Sequence, residues 1–218
     1  MKKIILLLFF LSQITVAQNV NYGRETLPKH NISLSFSWDF AASAGLHYQF
    51  LPSAAKWRGI GVSARLPTGE NVFDDYSLSA FGDWQLMNKK QIKSFVRLGV
   101  FDKKMANTNA TLLTAGAFVA PSIAHYSRVF YIGFEGKFER SILTQYQNKE
   151  ELKQYYLEMK DGVSFKGQAQ NFSAGLMSGL SIQKTDVDLG IGLVNIGHIG
   201  GIPFVPFYFR IGLSRGMY

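Results

Sequence analysis

The sequence predicts an all-β chain that closes into an antiparallel transmembrane β-barrel of about ten strands, with eight as the alternative. Three observations predict it. A two-residue hydrophobic period recurs along most of the chain, as strands with one apolar and one polar face require. No segment beyond the N-terminus approaches the ~18 consecutive apolar residues of a spanning helix. Short polar turns alternate with longer links, the asymmetry of outer-membrane barrels.

Residues 1–17 read as a secretory signal peptide. Lys2 and Lys3 precede an apolar run from Ile4 to Leu11, and Thr15, Val16 and Ala17 place small residues where a signal peptidase reads, so cleavage is expected before Gln18. About 14 mostly apolar residues fall short of the ~20 of a membrane anchor. Residues 18–30 are polar and aperiodic and form a periplasmic lead-in to a barrel over 31–218.

The strongest period runs from Asn31 to Leu51. Ile32, Leu34, Phe36, Trp38, Phe40, Ala42, Ala44, Leu46, Tyr48 and Phe50 share one phase, and small or polar residues fill nearly all of the other. That second face is too polar for a dry core, which leaves either water outside a soluble sheet or the hydrated interior of a barrel. The stretch is about twice the 9–11 residues of a tilted spanning strand. Dividing it at Ala41–Ala44 gives a hairpin and raises the strand count from an odd nine to ten, the even number that places both ends on one side of the membrane.

The same period returns over Gly59–Leu66, Tyr76–Leu86, Ile92–Val100, Arg128–Arg140, Phe172–Ile182, Val187–Leu193 and Phe207–Leu213. Thr111–Pro121 is apolar on both faces and has no readable phase. Asn88–Gln91 and Lys184–Asp186 are short turns, whereas Pro67–Asp75, Asp102–Ala110, Leu143–Val163 and Asn195–Pro206 are longer links. Within the third link, Asn148 and Glu151 have capping-box spacing, and Leu152, Tyr155, Tyr156 and Met159 share a face before Gly162, which predicts a short amphipathic helix in an external loop.

With the large apolar faces toward lipid, the inward set is Asp39, Arg65, Asp83, Lys93, Arg97, Glu135, Lys137, Glu139, Asp188 and Arg210 among serines and glycines. Equal numbers of acids and bases predict ion pairs that fill a narrow lumen, since unpaired buried charge costs several kcal/mol. Glu135, Lys137 and Glu139 lie on one strand face within expected reach of Arg97 or Arg210. A wide selective pore would instead carry a surplus of one sign at its constriction.

There is no cysteine, which excludes a disulfide framework and a lipidated N-terminal Cys. Loss of Lys2 and Lys3 lowers the net charge from +8 to +6. The scattered bases of an exported chain point to outer-membrane lipid and lipopolysaccharide phosphate, not nucleic acid. His30, His47, His125 and His198 lack the neighbouring ligands of a metal site, and no phosphate loop or Gly-x-Ser-x-Gly elbow occurs. No cofactor is expected. His125-Tyr126-Ser127 with Glu139 resembles the His-x-Ser and Glu set of the lipid A deacylases, in which His activates Ser for attack on an acyl ester. Arg128 stands where that family has Asn, and ordinary turn residues are the stronger reading.

The signal peptide, the repeated strands and the C-terminal FYFRIGLSRGMY together resemble the small outer-membrane β-barrel superfamily of OmpA- and OmpX-like proteins. Tyr218 departs from that pattern, being out of phase with Phe207, Phe209, Ile211, Leu213 and Met217. The resemblance implies an integral, non-enzymatic barrel of the cell outer membrane with a structural or loop-mediated role. It also allows an envelope protein partner, for instance within a secretion complex. A lipid A-modifying enzyme and a narrow passive channel are the alternatives.

Overall fold

A computed structural model describes residues 20–38, 42–52, 57–68, 75–106, 110–149, 161–164, 170–197 and 207–218. The predicted signal peptide, Asp39, His198 and the body of the predicted loop helix lie outside these residues. The strands are β1 (His30–Trp38), β2 (Ala42–Phe50), β3 (Trp57–Pro67), β4 (Tyr76–Lys89), β5 (Ile92–Ala106), β6 (Ala110–Tyr126) and β7 (Phe130–Asn148), followed by β8 (Gly162–Ser164), β9 (Gln170–Ile182), β10 (Thr185–Gly197) and β11 (Phe207–Met217). No helix among the described residues is long and apolar enough to cross a membrane.

Ten strands close on themselves. β1 to β7 pair in a meander, β7 pairs with β9, β10 and β11 follow, and β11 returns to β1 in antiparallel register from His30↔Met217 to Trp38↔Phe209. The three-residue β8 adds only to the upper part of β7. The long opening stretch does divide into a hairpin, with Trp38 opposite Ala42. Each of the ten long strands is paired on both sides, so backbone polar groups meet partners within the wall, as hydrocarbon demands.

The wall is inside out relative to a soluble protein. On β11 Tyr208, Arg210, Gly212, Ser214 and Gly216 are buried while Phe207, Phe209, Ile211, Leu213 and Met217 are exposed. On β1 Leu34 is 60% exposed and Ser33 1%. At roughly 25 cal/mol per Å² such a continuous apolar surface would be costly in water. In hydrocarbon that cost disappears, so the outer face is the lipid face.

The strand whose phase is unreadable in sequence, β6, turns Thr114, Gly116, Phe118 and Ala120 inward. Five of the inward aromatic rings have room because each lies against a glycine on the neighbouring strand. Phe81 stands opposite Gly61, Phe118 opposite Gly99, Phe101 opposite Gly116, Tyr131 opposite Gly179 and Tyr208 opposite Gly192. A Cβ at Gly61 would come 2.5 Å from Phe81 Cζ. Glycine here admits a neighbour's ring over the backbone.

At one end, here the turn end, β1 begins, β11 finishes and the connections are short; Lys90 and Gln183 open two-residue hairpin turns at φ 50° and 54°. At the opposite, loop end, the links are shorter than the sequence suggests. β5 and β6 leave only 107–109 between them, and β7 continues to Asn148. Lys103, Lys104 and the polar run after Leu143 read as loop because they interrupt the apolar count. Beyond the hydrocarbon band, however, a strand is wet outside, and the two-beat pattern no longer marks it.

Candidate functional site

The bore is crossed at mid-height by an ionic belt. β4 and β5 place Asp83 directly opposite Arg97. The guanidinium binds the carboxylate through two bonds, Nε to Oδ1 at 2.6 Å and Nη2 to Oδ2 at 2.8 Å. Gln49 of β2 donates to the same carboxylate at 2.7 Å. From the far wall, Arg210 of β11 reaches Glu135 of β7, with Nη1 3.1 Å from Oε1, and Asp188 of β10, with Nε 3.4 Å from Oδ2. Tyr208 donates to Glu135 Oε1 at 2.9 Å. Arg210 is 1% exposed and Asp188 0%. In so dry a setting each charge is tolerable only because its opposite is in place.

Nearer the loop end a second cluster fills the bore. Lys103 Nζ lies 2.6 Å from Glu139 Oε2, and Lys137 pairs with the same carboxylate. Arg97, Lys103 and Lys137 each also stand over an inward phenylalanine, at 3.9 Å from the centre of Phe81, 4.6 Å from Phe101 and 4.7 Å from Phe118. The ring faces are attractive to cations with little water around them. Opposite these clusters, β1 to β4 present hydroxyls joined in pairs, Ser37 with Ser43 at 2.8 Å and Ser63 with Ser79 at 2.6 Å.

The lead-in takes a place the sequence does not announce: residues 20–24 are seated in the turn end of the bore. Val20, Asn21 and Tyr22 are buried. Tyr22 stacks on Phe95 at 4.3 Å and meets Tyr126 edge-on, within a cluster that includes Leu51, Ala124, Tyr131 and Met177. Burial, with the charge of Asp83, pushes the Tyr22 phenol above its ordinary range. Lys93 Nζ donates to the Tyr22 carbonyl at 2.5 Å. Arg24 pairs with Asp186 and donates to the Tyr218 hydroxyl at 3.0 Å. Burial works against the Arg24 charge, but Asp186 outweighs it and the group is held above its usual value.

No protein-family model matches the chain and no curated protein does. Among solved structures it is similar to the KdgM porin, at 6% identity and TM-score 0.45 over 86% of this chain and 99% of that one. It is similar also to the KdgM porin in complex with disordered oligogalacturonate, at 8% identity and TM-score 0.41 over 86% and 99%. A third is the Acinetobacter baumannii outer membrane protein Omp33, at 7% identity and TM-score 0.36 over 88% and 99%.

The residues expected in the lumen meet as follows. Asp83 with Arg97, Glu135 and Asp188 with Arg210, and Lys137 with Glu139 form ion pairs, while Lys93 turns to the seated segment. Arg65 is half-buried on the inward phase of β3, opposite Ser77. Lys103, Gln49 and Asp186 belong to the same networks but were not foreseen; the first lies in a stretch read as loop, and a lone Gln or Asp carries no pattern.

The deacylase-like set does not assemble. His125 bonds Gln91 at 2.7 Å, Ser127 Oγ donates to the Phe130 carbonyl at 3.0 Å in the β6–β7 turn, and Glu139 holds two lysines higher in the bore. Among the described residues no cluster of His, Asp and Glu could hold a metal ion.

Proposed function

We propose that this chain is an integral, non-enzymatic protein of the cell outer membrane whose bore is closed by its own side chains, and which serves the envelope structurally or through its external loops. One observation carries the reading: the Asp83–Arg97 pair and the Glu135–Arg210–Asp188 triad span the bore at one level, where a pore needs open water. Beside them lies a cavity of about 20 Å³, lined in part by Asp83, Arg97, Ser122 and Glu135, room for about one water molecule. The basic excess of the exported chain supports lipopolysaccharide phosphate as a lateral neighbour. A partner protein of the envelope, as in a secretion complex, would meet the loop end.

Planar-bilayer recording tests this. The purified protein should insert without conductance steps in molar salt. Reproducible steps would make it the narrow passive channel instead.

A further inference from the structure

We propose that residues 20–24 are a built-in stopper that seals the turn-end mouth of the bore. The proposal rests on the closed-bore reading and deepens it, by assigning the seal on that side to the chain's own lead-in and not to the ionic belt.

The seat is made from widely separated parts of the wall. Asn21 Nδ2 donates to the Ser127 carbonyl at 3.0 Å and to Ser181 Oγ at 2.8 Å, and its backbone N–H to Asp186 at 3.3 Å. These bind the segment to the β6–β7 turn, β9 and β10. Lys93 and Phe95 hold Tyr22 from β5, and Gln49 of β2 approaches its hydroxyl at 3.5 Å. Arg24 closes the rim against Asp186 and Tyr218.

Polar and apolar groups of the segment are thus matched on several sides of the mouth, which a strand end trailing into solvent would not need. The Asn21 side chain also accepts from Gly23 N at 2.8 Å, fixing the turn that aims Tyr22 inward. Gly23 sits so close to the Ser127 carbonyl that a Cβ could not fit. Behind the Tyr22 ring, Phe95 lines the water-sized cavity under the belt. The stopper is what separates that cavity from the solvent at the turn end.

Because the chain has no cysteine, Ser122→Cys puts one thiol in that cavity with almost no change of shape. A charged, water-soluble maleimide should label it slowly in folded protein. Adding Asn21→Ala or Tyr22→Ala should speed labelling by about tenfold or more, as a weakened seat opens more often. Only proteins whose gel mobility still shifts on boiling are scored, and Arg24→Ala supplies a milder variant at the rim. Equal rates with and without the stopper substitutions, whether fast or slow, would overturn the proposal. Conductance by the unsubstituted protein would overturn the closed-bore reading, whereas equal labelling without conductance removes the stopper alone.

Discussion

Arg210 and Glu135 lie 75 residues apart in the chain and meet across the bore, Nη1 3.1 Å from Oε1. Asp188 completes the triad from the strand next to Arg210. On the shorter way round the closed wall, β9 and β10 stand between the two strands that the contact joins.

Removing Arg210 leaves two carboxylates buried without their cation. Arg210→Met should destabilise the barrel by about 3–5 kcal/mol, read as a lower urea midpoint for loss of the heat-modifiable gel form. Arg210→Met with Glu135→Gln and Asp188→Asn should recover most of that loss, because the charges then vanish together. A single substitution no worse than the triple would show that the triad is not a closed electrostatic unit.

Gly179 and Tyr131 test the packing of ring against backbone. The nearest atoms to a Cβ at Gly179 all belong to Tyr131, with Cζ at 2.5 Å. Gly179→Ala should cost about 1–3 kcal/mol from overpacking. In a Tyr131→Leu background the same change should cost clearly less, a coupling that a double-mutant cycle on urea unfolding measures.

The buried phenol of Tyr22 predicts a pH dependence with a definite sign. Its pKa is raised in the folded chain by burial and by Asp83, so above the ordinary tyrosine value of about 10 the unfolded chain loses a proton that the folded chain keeps. Stability should therefore fall as pH rises past ~10, and Tyr22→Phe should remove one group's share of the slope, about 1.4 kcal/mol per pH unit. Urea midpoints between neutral pH and pH 11 measure it.

Ser127 Oγ both donates to Phe130 O and accepts from Phe130 N at 2.9 Å. Such a hydroxyl shapes a turn. Ser127→Ala should leave the acyl pattern of lipid A unchanged by mass spectrometry in cells that carry the protein.

Much of the wall was legible because lipid on one side and ion pairs on the other impose opposite chemistries on alternate residues. Leu34 beside Ser35 and Phe134 beside Glu135 signal their faces directly. β6 was silent, since Phe118 and Ala120 point inward while Ala117 and Val119 point to lipid, and both phases look alike. Lys103 was missed because β5 outruns the hydrocarbon band. Most of the bonds that seat Asn21, Tyr22 and Arg24 lie more than 70 positions away, which no local pattern encodes. The ion pairs were foreseeable as a set but not as a pairing: which acid meets Arg210 follows from barrel closure.

The orientation of the two faces underlies every step, and adjacent nitroxide labels on β1 test it most directly. Leu34→Cys and Ser35→Cys, labelled in turn in bilayers, report collision with oxygen, which partitions into hydrocarbon, and with a water-soluble nickel chelate. The label at 34 should be oxygen-accessible and chelate-shielded, and the label at 35 should lose the oxygen signal. A chelate-exposed label at 34 together with an oxygen-rich one at 35 would contradict the assignment of the wall.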